Sequence, residues 1–353
     1  MRSAVPRRLG ATILAASVAI LVSTGSVLAC GGLIGPNGAV NLLRTTTFAG
    51  YHDGVEHYVT AFEFAGGGGA FGSLIPLPDV PSDVEKGGDW TLQRLIRETS
   101  PVRLFDEDFR ASPSASAVAE ELMKVRIDAL DVTVLRGGAE AIGVWAKDHG
   151  FRLPPDAPEV LDFYARRSPI FLAAAFDADA AAARGQALGD GTPVHITIPT
   201  DDPWVPLRIL GLGKQDAERV EADVYLLTDA RPNLLPGPSR RSGLRRAHSA
   251  PATELLLGDL RSDRDMDWVP RSGWLTKLEL DASAAQLDYD LAIDPTGTGT
   301  PSRADTGWTL ASSTREVPGD PSFGNRVVLA MAVALAGVLL IARLMRFRPR
   351  PSA

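Results

Sequence analysis

This 353-residue chain is poor in the side chains on which many enzyme sites are built. It has five histidines and a single cysteine, Cys30. One cysteine cannot form an internal disulfide, so the folded part must be stabilised by its core alone. Lysine is scarce as well, since only five of the 36 basic residues are lysines. This bias, with abundant Ala, Gly and Pro, indicates a GC-rich genome rather than a function.

The motifs of several enzyme classes are missing. No Gly-x-Ser-x-Gly sequence is present to form the nucleophile elbow of an α/β-hydrolase. Gly66–Gly69 lacks the Gly-Lys-Ser/Thr of a phosphate loop. Asp263–Asp267 alternates carboxylates like a calcium loop, but it lacks the required Gly and the distal Glu, so a solvated turn is favoured. The sequence therefore assigns no catalytic residue and no cofactor.

Long apolar runs are absent from the middle of the chain and present at both ends. Residues 9–28 form an apolar run behind three arginines, and Val27-Leu28-Ala29 is a small-residue cleavage pattern before Cys30. These features predict a signal peptide over residues 1–29, with an uncleaved anchor helix as the alternative. The same site resembles a loose lipoprotein box. Lipidation of Cys30 is thus a further hypothesis, although one acyl chain adds only marginal membrane binding.

The second apolar run, residues 327–342, has no polar side chain and would span roughly 24 Å as a helix. It predicts a transmembrane helix over 326–345, with a buried core helix as the alternative. Arginines near the C-terminus predict a cytoplasmic basic tail over 346–353. The two ends together predict a single-pass protein of the cell membrane, N-terminus outside and C-terminus cytoplasmic, with the lipid bilayer as partner of its last helix.

Charge is distributed unevenly between the ends and the middle. Eight of the 36 basic residues and none of the 43 acidic residues lie in the two terminal segments, so residues 30–325 carry a net charge of −15. Such a charge argues against nucleic acid or anionic lipid as the main partner. It favours solubility, with cationic partners and metal ions as the alternative.

The middle of the chain predicts an α+β fold, mainly antiparallel β with a central helical cluster, in addition to the C-terminal transmembrane helix. Period-two patterns predict strands over 41–48, 57–64, 71–77, 131–135, 170–176, 194–198, 206–210, 220–227, 275–281 and 286–293. Helical patterns predict helices over 90–98, 114–130, 139–149 and 157–166. The predicted extracytoplasmic domain is 30–293, as one unit or as two subdomains that divide near 130–170. A Pro/Gly/Ser/Thr-rich stalk follows over 294–325.

One pair of histidines is a candidate metal site. His52 and His57 flank a predicted hairpin turn, and Asp53 or Glu56 would complete the ligand set. Exposed turn histidines are the simpler interpretation. His195 alternates with apolar neighbours on a predicted strand and is expected on its solvent face.

Two further features favour binding rather than catalysis. The segment 232–251 holds four arginines among Pro, Gly and Ser, and we predict a disordered basic loop. A cationic patch that binds an anionic cell-wall polymer is the less favoured alternative for this segment. Trp204 and Trp308 are the tryptophans expected at the surface, where they would bind sugars or peptides. A place in the core is the alternative for both.

Six short motifs follow one another along most of residues 30–293. They are Ala29-Cys30-Gly31-Gly32, FGSLIPLP (71–78), IGVWAKDHGFRL (142–153), WVPLR (204–208), VYLLT (224–228) and GWLTK (273–277). In this order they resemble the exported bacterial family known as domain of unknown function 2330. The resemblance implies export and anchoring but no activity, since the family has none assigned. Family members often carry a second cysteine soon after the first, and its absence from residues 33–38 weakens a disulfide role for Cys30.

The sequence favours a non-enzymatic binding or structural module of the cell envelope, which contacts an unknown envelope protein or polymer. The alternative is an envelope hydrolase, metal-dependent or carboxylate-based. A third hypothesis is an accessory subunit of another membrane protein. A deep pocket around His52 and His57 would favour the hydrolase, and a shallow surface with aromatics around Trp204 would favour binding.

Overall fold

β-Strands make up most of the folded part. A computed structural model describes residues 32–35, 38–39, 45–62, 71–99, 121–176 and 192–308. Alternating or continuous apolar runs give strands in these segments because a strand turns successive side chains to opposite faces. Outside the described residues lie the predicted signal peptide (1–29), Cys30, the predicted membrane helix (326–345) and the basic tail (346–353).

The described segments contain sixteen strands and five short helices. The strands are β1 (Gly32–Gly35), β2 (Gly38–Ala39), β3 (Thr45–His52), β4 (Val55–Phe62), β5 (Phe71–Leu77), β6 (Asp83–Lys86), β7 (Glu121–Ile127), β8 (Leu130–Arg136), β9 (Ile170–Phe176), β10 (Thr192–Pro199), β11 (Trp204–Val205), β12 (Arg219–Thr228), β13 (Asn233–Leu235), β14 (Leu244–Pro251), β15 (Trp274–Ser283) and β16 (Leu291–Asp294). The helices are α1 (Thr91–Thr99), α2 (Ala139–Asp148), α3 (Ala157–Ala165), α4 (Glu254–Ser262) and α5 (Arg303–Thr306).

The strands form three sheets. Six strands run in the order β2-β1-β5-β9-β8-β7, and all their pairs are antiparallel. Seven strands run in the order β14-β15-β12-β3-β4-β10-β6, where only the pair β12–β3 is parallel. A small sheet has the order β11-β16-β13. The architecture is therefore mainly antiparallel, with one mixed sheet.

A two-residue turn sets the register of the β3–β4 hairpin. Asp53 and Gly54 both have positive φ angles, 50° and 78°, as a type I′ turn requires. The register that follows puts His57 on one face of β4 and Glu56 on the other.

The main core lies between the two large sheets. Tyr58, Ile196 and Val224 of the seven-stranded sheet belong to the same buried cluster as Leu74 and Phe171 of the six-stranded sheet. Strands β8 and β9 are buried along nearly their whole length. The far face of the six-stranded sheet is covered by α2 and α3, whose buried side chains join the same cluster.

The other face of the seven-stranded sheet is covered over only part of its area. Helices α1 and α4 pack on each other and on a second cluster that includes Phe48, Val59, Tyr225 and Leu275. Further along β12 and β15, on the same face, the side chains are charged and partly or fully exposed. This helix-free part of the face stays open to solvent.

The predicted fold class is wrong about the helices. They are few in the described segments, and four of the five form two separate pairs rather than a central cluster. Residues 121–127, expected within a helix over 114–130, form β7, which pairs with β8. In addition, no helix in the described segments is long and apolar enough to cross a membrane. The described residues therefore form mainly antiparallel and mixed β-sheets with few helices.

Three other segments differ from prediction. Residues 232–251 are not a disordered loop but form β13, a turn and β14. Residues 206–210, predicted as a strand, contain a 3-10 turn at Arg208–Gly211. The last two predicted strands, 275–281 and 286–293, correspond to β15 and β16, and these belong to different sheets rather than to one hairpin.

The first residues of the predicted stalk pack on the folded part. The amide of Asp290 donates to the carbonyl of Thr306 at 2.8 Å. The ring of Trp308 meets that of Tyr289 edge to face, with centroids 5.0 Å apart. Folded structure thus continues to residue 308.

Candidate functional site

Charged side chains form a cross-strand ladder on the helix-free part of the seven-stranded sheet. Arg219 of β12 makes two contacts of 2.6 Å with the carboxylate of Asp281 on β15. Arg245 of β14 pairs with Glu279, which lies directly opposite it on β15. Opposite charges on facing positions of neighbouring strands stabilise one another, so these two arginines already have partners.

A tight turn before β14 presents further arginines beside the ladder. The hydroxyl of Ser242 donates to the carbonyl of Gly237 at 3.0 Å, and its amide donates to the hydroxyl of Ser239 at 3.2 Å. Gly243 has a φ of 64°, and a Cβ there would come within 2.7 Å of β15. The turn is therefore closely held, and it keeps Arg240 exposed at the surface.

Two adjoining cavities follow the turn and the ladder. The larger, of about 720 Å³, is lined by Arg219, Glu221, Pro238, Ser239, Arg240, Gly243, Leu244, Arg245, Arg246, Glu279, Leu280 and Asp281. The smaller, of about 420 Å³, is lined by Arg231, Pro232, Asn233, Leu234, Gly237, Pro238, Arg246 and Gly297. Because Pro238 and Arg246 line both, we treat them as one feature and call it the arginine groove.

Three arginines of the groove have no ion-pair partner in the described part of the chain. Arg231, Arg240 and Arg246 are exposed and make no salt bridge there. A guanidinium presents five N–H donors in a planar fork that matches a carboxylate or phosphate. The groove thus offers three unoccupied positions for oxyanions.

A second polar cluster lies where β4, β10 and β6 meet. Nδ1 of His57 lies 2.9 Å from Nε2 of His195, and Nδ1 of His195 lies 3.0 Å from Oε1 of Glu85. Glu85 faces His195 across the β10–β6 pair, and His57 lies diagonally to it on β4. With Glu85 ionised, each histidine donates through Nδ1–H, and Nε2 of His57 is left as an acceptor.

Trp268 covers this Glu85–His195–His57 chain. Its ring stacks on His57 with centroids 3.9 Å apart and planes 2° from parallel. A Cβ at Gly50 would meet the Trp268 ring at 2.5 Å, so the glycine provides the space. The prediction that His195 faces solvent is wrong, because it is only 2% exposed beneath this cover.

Burial keeps both imidazoles neutral at pH 7. It lowers the pKa of His57 to about 3, with the nearby His195 adding to the effect, and it lowers the pKa of His195 to about 4. Burial and the neighbouring Asp265 raise the pKa of Glu85. A carboxylate joined to two neutral imidazoles is an arrangement suited to proton transfer rather than to holding positive charge.

The two predicted metal ligands share a face of the hairpin but bind different partners. Nδ1 of His52 lies 2.7 Å from Asp229, and its Nε2 lies 3.4 Å from Asp53, whereas His57 belongs to the chain described above. Glu56 lies on the opposite face of β4. Among the described residues no three His, Cys, Asp or Glu side chains are grouped so as to hold a metal ion.

Glu56 itself is a buried carboxyl. It is 1% exposed, and neither of its oxygens has a side-chain hydrogen-bond partner in the described structure. Burial raises its pKa to about 8, an effect that the amide of Trp204 opposes only in part. Glu56 is therefore mostly protonated at pH 7.

Asp290 joins three parts of the chain. One oxygen accepts from the hydroxyl of Tyr164 at 2.9 Å and from the amides of Leu207 and Arg208 at 2.7 and 2.9 Å. The other accepts from Arg167 at 2.5 Å. Asp290 is fully buried, so this network links α3, the 3-10 turn and the segment before β16 as a structural centre.

The other residues that the sequence singled out, Asp263, Trp204 and Trp308, have structural roles in the fold. Asp263 is 6% exposed and accepts from the amides of Asp89 and Trp90 at the start of α1, so it caps that helix rather than lying in a solvated turn. Trp204, expected at the surface, is 2% exposed, and Trp308 is partly buried. The aromatic surface expected around Trp204 is therefore absent from the described residues.

The residues missed from the sequence come together only through strand pairing. Glu85 and His195 are 110 positions apart and meet through the β10–β6 register. Arg231 and Arg246 meet because β13 and β14 flank a folded turn that was expected to be disordered. The one available signal in the sequence was the concentration of arginines in 232–251.

Comparisons with known proteins place the chain in a family without lending it an activity. No curated protein matches it significantly. Two crystal structures of a mutated baculovirus P35 after caspase cleavage are similar, each at 7% identity and a TM-score of 0.33. One match covers 59% of this chain and 76% of that one, and the other covers 72% and 98%. At this TM-score the likeness carries no argument. The family model described as an uncharacterized protein conserved in bacteria (DUF2330) matches residues 25–235, more than half of the chain, which confirms the resemblance found in its motifs: the chain belongs to the DUF2330 family.

Proposed function

We propose that this protein is a binding module of the bacterial cell envelope that holds an anionic partner in the arginine groove. The observation that carries the proposal is the set of three exposed arginines, Arg231, Arg240 and Arg246, that line two joined cavities without an ion-pair partner in the described residues. Charge-assisted contacts from guanidinium to oxyanion are about twice as strong as neutral hydrogen bonds. Arginines held in this way favour anion binding.

The charge of the surrounding chain makes this groove distinctive. Residues 30–325 carry a net charge of −15, which repels polyanions at long range. A partner therefore binds through the local arginines rather than through diffuse attraction. The same repulsion acts on every polyanion, nucleic acid included, so contacts with these few arginines have to carry the binding.

We place this activity outside the cytoplasm. The support is the sequence of residues 1–29, in which arginines, an apolar run and a small-residue cleavage pattern follow one another as in a signal peptide. An exported protein meets the anionic polymers of the envelope directly.

The test is binding of the purified full-length chain to anionic polymer isolated from the bacterial envelope, with neutral dextran as the reference. The variant R231Q/R240Q/R246Q removes the unpaired guanidinium groups and is expected to bind about tenfold more weakly or worse. The matched control R136Q/R152Q/R166Q makes the same change in net charge at exposed arginines outside the groove and should bind like the wild type. Equal loss in both variants would contradict the proposal.

A hydrolase is the second candidate, and the Glu85–His195–His57 chain is the observation that favours it. The acceptor Nε2 of His57 at the end of a carboxylate–imidazole chain has the hydrogen-bond arrangement of a general base, and burial lowers its basicity. Release of small fragments from the envelope polymer by the wild type, abolished in His57→Gln and unaffected in R231Q/R240Q/R246Q, would replace the binding proposal with this one.

A further inference from the structure

The arginine groove continues past the larger cavity into the smaller one. The two cavities, of about 720 and 420 Å³, share Arg246 and Pro238. Arg240 lies in the larger cavity, Arg231 lies in the smaller one, and Arg246 stands at the junction. The three unpaired guanidinium groups are therefore arranged in sequence along one track.

The carboxylates of the larger cavity offset only part of this positive charge. Asp281 contacts Arg219 twice at 2.6 Å, Glu221 lies 3.1 Å from the same guanidinium, and Glu279 pairs with Arg245. The lining of the smaller cavity contains no carboxylate among the described residues. The described linings of the two cavities together hold five arginines and three carboxylates, so an incoming anion meets a groove of net positive charge.

The lining also narrows the class of ligand. Neither cavity has an aromatic residue in its described lining. Nucleic-acid bases bound as single strands stack on aromatic side chains, and rings in general gain from such platforms. The groove lacks these platforms, so it is suited to a chain whose charges are not attached to bases or other large rings.

We propose that the ligand is a linear polymer of phosphate groups, joined directly or through small aliphatic linkers, that occupies both cavities at once with Arg246 as the shared contact. The inference rests on the proposed function, since it specifies the anionic partner of the same groove. Phosphates in series contact Arg240, Arg246 and Arg231 together, and each contact after the first forms at high effective concentration. Affinity should therefore depend on chain length rather than on charge alone.

The experiment measures binding of the full-length protein to inorganic phosphate, tripolyphosphate and polyphosphate chains of increasing length. Inorganic phosphate should bind too weakly to saturate. Affinity should rise by about tenfold or more from tripolyphosphate to a chain that spans both cavities, as expected for linked contacts, and then level off when it is expressed per chain. A flat dependence on length would overturn the inference.

Single substitutions test the order of the contacts. R231Q should remove the gain of the longer chains and leave tripolyphosphate binding in the larger cavity unchanged. R246Q should weaken both ligands, because Arg246 belongs to both cavities. R166Q, outside the groove, should leave both affinities at the wild-type values. Equal effects of R231Q on short and long chains would contradict the proposed arrangement.

Single-stranded DNA of matched charge separates this ligand class from a general polyanion surface. It should bind about tenfold more weakly than polyphosphate, because the groove offers no stacking platform. Equal affinity for DNA would overturn the inference. If the affinity does not depend on polyphosphate length while envelope polymer still binds through Arg231, Arg240 and Arg246, only this inference is wrong. If no anion binds, the proposed function falls with it.

Discussion

Among single residues, Glu56 occupies an environment that opposes its usual charge. It lies on the main-core face of β4, without a side-chain hydrogen-bond partner in the described structure, and burial raises its pKa to about 8. The folded protein therefore holds a proton that the unfolded chain releases above pH 4.5. Stability must fall as pH rises through this interval, because the folded state binds more protons.

The substitution Glu56→Gln tests this linkage. In the wild type the contribution of Glu56 to the free energy of unfolding should decrease between about pH 4.5 and 8, by at most about 1.4 kcal/mol per pH unit. E56Q should lack this decrease and be the more stable form at pH 8. Urea unfolding across this pH range measures the difference. A slope identical to that of the wild type would show that Glu56 is ionised in the fold, and Glu140→Gln, at an exposed position, is the control.

The pH dependence of stability that His57 and His195 cause has the opposite sign to that of Glu56. Their pKa values are lowered from 6.5 to about 3 and about 4. Below about pH 6.5 the unfolded chain therefore binds more protons at these two residues than the folded chain does. Their contribution to stability is lost as pH falls below about 6.5. The comparison of E56Q with the wild type at each pH cancels this effect, because both proteins contain the two histidines.

Sequence reasoning at this scale found residue types but not partners. His57 was selected because it stands near a turn, yet its partners His195 and Glu85 lie on other strands and no local spacing reveals them. The pair His52 and His57 was expected to act together. The structure instead bonds His52 to Asp229, a choice that depends on how β3 and β12 lie side by side.

At the scale of elements, Asp290 is the residue that connects α3, the 3-10 turn and the small sheet. It accepts hydrogen bonds from α3 and from the 3-10 turn, and it pairs with Arg167, which is itself largely buried. Removing one partner of a buried pair leaves the other charge uncompensated. The network therefore fixes α3 relative to the small sheet.

Asp290→Asn should destabilise the protein by about 3 kcal/mol or more, because Arg167 is left buried without its counter-charge. Urea unfolding at pH 7 measures the loss, and Asp148→Asn at an exposed position should change stability by less than about 0.5 kcal/mol. Adding Arg167→Met to D290N should recover part of the loss. Strictly additive effects of the two substitutions would show that the pair is not coupled.

Helices and strands whose apolar residues recur with a clear period were predicted well. The β7–β8 hairpin, which depends on its turn, and the edge strand β14 were not. Helices 90–98, 139–149 and 157–166 agree with α1, α2 and α3 to within two residues. The segment 114–130 was mistaken for one helix because the turn between β7 and β8 contains no Gly. Asp128 takes the positive φ of 51° in its place. Strand β14 was missed because its exposed arginines give no apolar alternation.

At the scale of the whole molecule, the feature that bears on function is the separation of the three groove arginines from the acidic remainder of the domain. Residues 30–325 carry a net −15, yet the three unpaired arginines stand together at one end of the seven-stranded sheet. The charge balance was readable from the sequence. The place of the groove was not, because it depends on the antiparallel pairing of β12 and β14 with β15, which brings distant segments together.

This separation predicts a defined salt dependence. Polyphosphate affinity should fall by about tenfold between 50 and 200 mM salt, as expected for about three contacts to a single-stranded polyanion. R231Q/R240Q/R246Q should remove most of that dependence. Titrations at several salt concentrations provide the measurement, and an affinity that rises with salt would point to apolar binding in place of the proposed contacts.

Strand β14 is also the outermost strand of its sheet in the described part of the chain. A free strand edge is a template on which a second chain can add, and charged side chains are a common defence against such growth. Arg245 and Arg246 lie on this strand, so two copies brought edge to edge would face like charges. The groove arginines thus also keep neighbouring molecules apart, and a bound polyanion that neutralises them would remove that protection where the protein is most crowded.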